Sequence, residues 1–136
     1  MMEMKSETVS VQTNAQDIIA FLSDANNLFH ILPQDKISDW QADEAKCSFK
    51  VQGGITISLI QDGHNGSNEL YLKSGEKSPF PFKLIVHLNQ IQDGITEGYI
   101  EFNGEVNLFL KMMVEKPLSA LFNYMSVQLK KHYEVK

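Results

Sequence analysis

The side chains able to carry chemistry are few and scattered. Four histidines, His30, His64, His87 and His132, show no HxH or HxxxH spacing and no Cys/His pairing, so no two of them are set on one strand or helix face as metal ligands, and no metal is expected. Cys47 is the only cysteine. It alternates in phase with Phe49, and a thiol on the apolar side of a strand, away from cations, reads as an inert hydrophobe. Asp39, Glu44, Asp62, Glu69 and Glu101 fall on strand or turn positions, and nothing in their spacing places two carboxylates together for acid–base work. They read as a solvated surface. No catalytic residue and no cofactor follow from this set. The single Trp40 comes just after a short helix and reads as a core plug or the rim of a pocket, with an indole N–H that needs a partner.

What could position a ligand instead is the stretch Asn107–Tyr133, the only segment long and regular enough to cross a domain. Its 26 helical residues would reach about 39 Å. At about 100° per residue, Leu110, Val114, Leu118, Leu121, Phe122, Met125 and Leu129 share one arc, while Glu115, Lys116, Ser119, Asn123, Ser126 and Lys130 fall outside it. Asn107 is set to cap the start, and Lys130, Lys131 and His132 sit where cations favour the helix dipole. His132 also lies inside the apolar arc. Pro117 removes one hydrogen bond and is expected to bend the helix near Met113, leaving room beneath it.

Composition narrows the function further. A chain of 136 residues, 43% hydrophobic and 21% charged, fits one domain (1–136) with one core. All 12 basic residues are lysines and the net charge is −5, so no nucleic acid is expected, because phosphate contacts need a basic face and base readout leans on arginine. The start, Met1–Ser10, has no signal-peptide run, and no stretch approaches the ~20 apolar residues of a membrane span. A cytoplasmic protein is expected, without stable membrane insertion, and as a monomer or weak homodimer.

In chain order, Met4–Gln12 reads as a first strand. Asn14 is set to cap a helix over Ala15–Ser23 with an apolar stripe of Ile18, Ile19, Phe21 and Leu22, and a second short helix over Ala25–Ile31 ends at Pro33. The period then changes to two. Cys47, Phe49 and Val51, then Ile55, Ile57 and Leu59, then Leu70 and Leu72, then Phe82, Leu84, Val86 and Leu88, then Ile100 and Phe102 point one way, with Ile85 facing out. Gly53-Gly54, Asp62-Gly63, Asn65-Gly66 and Asp93-Gly94 mark turns. Strand, two helices, about six more antiparallel strands and a long helix make an α+β domain.

This order resembles the helix-grip fold of the SRPBCC superfamily (Bet v 1-like, START-like, polyketide cyclase-like). The likeness is carried by Asn14–Pro33 (NAQDIIAFLSDANNLFHILP) and by Asn107–Leu129. It implies a seven-stranded curved antiparallel sheet wrapped around the C-terminal helix, with a cavity between them for an apolar small molecule or lipid. Leu28 and Trp40 are then expected at its border and Phe49, Ile57, Leu59 and Leu72 on its wall. Phe82, Leu84, Val86, Ile100 and Phe102 continue that wall, facing Val114, Leu118, Leu121, Phe122 and Met125 of the helix. Because these positions are nearly all apolar, binding without catalysis is the leading expectation; a cyclase, aromatase or similar enzyme of the same fold is the alternative.

Overall fold

The computed structural model describes residues 2–51 and 54–134. Eight strands, β1 (Met2–Lys5), β2 (Val9–Val11), β3 (Ile37–Ala42), β4 (Lys46–Val51), β5 (Ile55–Asn65), β6 (Glu69–Ser74), β7 (Phe82–Gln92) and β8 (Ile95–Gly104), form one antiparallel sheet in the order β1-β8-β7-β6-β5-β4-β3, with β2 also paired to β8. Helix α1 (Ala15–Leu22) and a 3-10 helix (Ala25–Ile31) follow β2, and α2 (Leu108–His132) closes the chain. The core lies between the inward face of the sheet, these short helices and α2.

The expected first strand is two strands. From Lys5, opposite Glu101, to Val9, opposite Gly98, the chain takes four steps against three on β8, so one residue is extra and the strand bulges. The bulge turns Ser6 inward, where it is buried.

Other turn and cap signals are redistributed. Asp62-Gly63 is no turn: β5 runs on to Asn65, and Gly63, at φ +88°, sits in a register shift between Gln61 and His64. Gly94, at φ +83°, does turn the β7–β8 hairpin, and its N–H donates to Asn14 Oδ1 at 2.6 Å. Asn14 therefore tethers α1 to that hairpin rather than capping α1 with its side chain. Gly53 lies outside the described residues.

Helix α2 starts as its sequence predicts, with the Leu110 N–H donating to Asn107 Oδ1 at 2.9 Å and Pro117 inside the helix. Two positions differ. Ser126, expected on the wet face, is buried, and Leu110 is only half-buried. Phe21, on the expected apolar stripe of α1, is likewise only half-buried, with its ring 4.5 Å from that of His132 and 6.1 Å from that of Tyr133.

Candidate ligand-binding site

Between the sheet and the C-terminal half of α2 lies an internal cavity of about 20 Å3 with an almost wholly apolar lining. Strands β6 and β7 give Leu72, Leu84, Val86 and Leu88; the short helices give Leu22, Leu28 and Ile31; α2 gives Met125, Ser126 and Leu129. Val9 and the stretch Gly98–Ile100 complete it. Period-two alternation explains the strand contribution, since residues 84, 86 and 88 fall on one face. The volume is that of about one water molecule.

Of the expected wall, Leu28, Leu72, Leu84, Val86, Ile100 and Met125 border this cavity. Phe49, Ile57, Leu59, Phe82, Phe102, Val114, Leu118, Leu121 and Phe122 are buried in the surrounding core without bordering it. Phe82 and Phe122 both pack on Phe102, with ring centres 5.3 Å and 5.5 Å away, so rings fill the end of the sheet nearer the start of α2. Trp40 is half-buried on the edge strand β3, between Phe29 at 5.1 Å and Phe49 at 6.1 Å. Leu88 and Leu129, inward by alternation and by the helical arc, also line it, as do Val9, Leu22 and Ile31; the place of a void depends on how distant elements meet, which periodicity does not fix.

Ser126 supplies the one side-chain hydroxyl among the inward-facing residues of α2 at this void, and that hydroxyl is engaged. Its Oγ lies 2.8 Å from Ser6 Oγ, which in turn accepts the Ile100 N–H at 2.8 Å. The pair thus stitches the β1–β2 bulge and β8 to α2. Cys47 faces inward farther along the sheet, and burial pushes its thiol up to about 12, which keeps it protonated and unreactive. These groups offer the cavity no free acid, base or nucleophile.

Polar chemistry gathers on the opposite face of the sheet. His87 on β7 stands between Glu69 on β6 and Glu101 on β8, with Nε2 2.7 Å from Glu101 Oε1 and Nδ1 3.4 Å from Glu69 Oε2. Its ring stacks on Tyr99 at 4.6 Å. Two of the carboxylates that the sequence leaves scattered are therefore brought together, around a histidine. Among the described residues no group of three or more His, Cys, Asp or Glu is arranged to hold a metal ion.

A larger recess, about 500 Å3, also lies outside, between β3, β4, β5 and the connection at Gly75–Lys77. It is an open cleft with a mixed polar and apolar lining. Asp43 at its edge already accepts the Ala45 and Lys46 N–H groups, and Lys77 Nζ is 3.4 Å from Gln41 Oε1. The smaller cavity, by contrast, has a nearly all-apolar lining of the kind that apolar ligands occupy.

No family model and no curated protein matches the chain. Solved structures do. A conserved protein from Geobacillus kaustophilus is similar at 15% identity and a TM-score of 0.69, covering 97% of this chain and 95% of that one. A START superfamily protein from Mycobacterium smegmatis matches at 13% and 0.64, over 96% and 98%. A Thalictrum norcoclaurine synthase, solved with a transition-state analogue, matches at 14% and 0.65, over 98% and 96%. At such identities the likeness concerns the fold, and the sheet order, the two short helices and the long closing helix agree with it: the chain has the helix-grip fold of START-like and Bet v 1-like (SRPBCC-type) proteins.

Proposed function

We propose that the protein binds a small apolar molecule or lipid chain, without catalysing its conversion, between the sheet and the C-terminal half of α2. The observation that carries this reading is the near-uniform apolar lining of the internal cavity at Leu72, Leu84, Val86, Met125 and Leu129. The START-like and Bet v 1-like fold supports it. Ligand pockets run to about 300 Å3 or more, against a cavity of about 20 Å3 here. Binding therefore requires the wall to open. Met125 can repack easily because its thioether chain is unbranched, and α2 lacks the backbone donor at Pro117 that would tie it to Met113.

The enzyme alternative needs polar side chains converging in the cavity, and Ser126 is already paired with Ser6. Native mass spectrometry with saturated fatty acids of increasing length tests the binder reading. A 1:1 complex is expected, weakened at least tenfold by Val86→Phe, which fills the void. Absence of any 1:1 adduct from a folded protein would defeat it.

A further inference from the structure

The N-terminal turns of α2 turn apolar residues to water. Leu108, Phe109, Met112 and Met113 are 73%, 71%, 78% and 60% exposed. At about 100° per residue, Phe109, Met112, Met113, Lys116 and Ala120 share an arc opposite the buried Val114, Leu118, Leu121 and Met125, so this is one continuous outer stripe. A helix already capped by Asn107 and anchored by its inner face gains nothing from outward Phe and Met unless another surface covers them.

We propose that this stripe pairs with the same stripe of a second copy of the chain, the two helices antiparallel about a twofold axis passing between Met112 and Met113. The residue order is self-complementary about that point: Met112 meets Met113, and Phe109 meets Lys116, twice by symmetry. The single cation of the stripe then lies over an aromatic ring of the other copy, where its stem covers apolar surface and its ammonium meets the ring face. Lys111 on the flank is within 3.8 Å of Glu115, so the flanks bring no uncompensated charge together.

Charge argues against a lipid surface as the occupant. Lys116 is the one uncompensated cation on these turns, and the chain carries a net charge of −5, which leaves little attraction for anionic headgroups. Area sets the strength of self-association. A large side chain presents about 200 Å2 when fully accessible, so the four leave about 550 Å2 per copy, and a pair buries at most about 1,100 Å2, within the range of weak, transient interfaces. The dimer is thus weak and concentration-dependent.

Sedimentation equilibrium of the full chain between about 1 μM and 1 mM reads this directly, with an expected dissociation constant of about 10 to 100 μM. The double variant Met112→Glu, Met113→Glu should weaken association at least tenfold while leaving the melting temperature unchanged, since both side chains are exposed. Under mild oxidation Met113→Cys should cross-link between copies and Lys130→Cys should not. A monomer throughout the range, or a dimer indifferent to the double variant, overturns the proposal. Cross-linking through Lys130→Cys alone rules out the antiparallel arrangement. A monomer that sediments with phosphatidylcholine–phosphatidylglycerol vesicles, and loses this in the double variant, assigns the stripe to a bilayer instead.

Discussion

Ser6 and Ser126 form a buried hydroxyl pair between the β1–β2 bulge and α2, and their energetic roles differ. Removing the Ser126 hydroxyl takes one partner from Ser6, which keeps its 3.2 Å contact with the Glu7 carbonyl. Removing the Ser6 hydroxyl strands both the buried Ile100 N–H and the Ser126 hydroxyl. With about 1 to 3 kcal/mol for each buried group left unpaired, Ser6→Ala should destabilise the protein by more than Ser126→Ala in denaturant melts, and equal losses would refute the hierarchy. Neither role was legible in the sequence, where Ser6 is one polar member of a weakly alternating strand and Ser126 falls just off the apolar arc. On the outer face, Glu101 is held below its ordinary carboxyl range, first by the Asn103 amide, then by the His87 ring. Lys5 adds a weaker attraction, and Glu69 faces the other side of His87. A folded-state pKa that is depressed contributes stability above the unfolded value, near 4.5, and loses it as pH falls through the folded value. Glu101→Gln should therefore cost stability at pH 7, with the gap to wild type closing below about pH 4; a gap constant from pH 7 to 3 would mean that charge plays no part.

The elements were the most legible level, because burial on one face imposes a period on the sequence. Phe49, Ile57, Leu59, Leu84 and Phe102 all lie inward as alternation places them, and α2 begins at Asn107's cap. Contacts between elements were less legible. The apolar stripe of α1 includes Phe21, yet only Ile18, Ile19 and Leu22 are buried with Ala15, and Phe21 leans on His132 at the end of α2. Leu121, by contrast, is buried in the core and does not border the void. Leu121→Ala should cost about 2 to 5 kcal/mol, and Phe21→Ala about half as much, because part of its ring is already in water. Melts of the two variants check this; a larger loss from Phe21→Ala would place the closed core under α1 rather than under α2.

At the scale of the whole molecule, the fold holds an apolar space with almost no volume, and the proposed binding requires that space to open. The sequence could mark the inner wall as apolar, but not that Phe82, Phe102 and Phe122 would pack together at one end of it and that a small pocket would lie near Leu72, Val86 and Leu129. The exposed stripe at Phe109, Met112 and Met113 complicates any dye-based assay, since an apolar probe can settle there. A site-resolved measurement removes that ambiguity: methyl NMR spectra of the protein titrated with decanoate. Binding between the sheet and α2 predicts saturable shifts at the methyl groups of Leu72, Leu84, Val86, Met125 and Leu129, with a common dissociation constant. Shifts confined to Leu108, Met112 and Met113, or none at saturating decanoate, would contradict it.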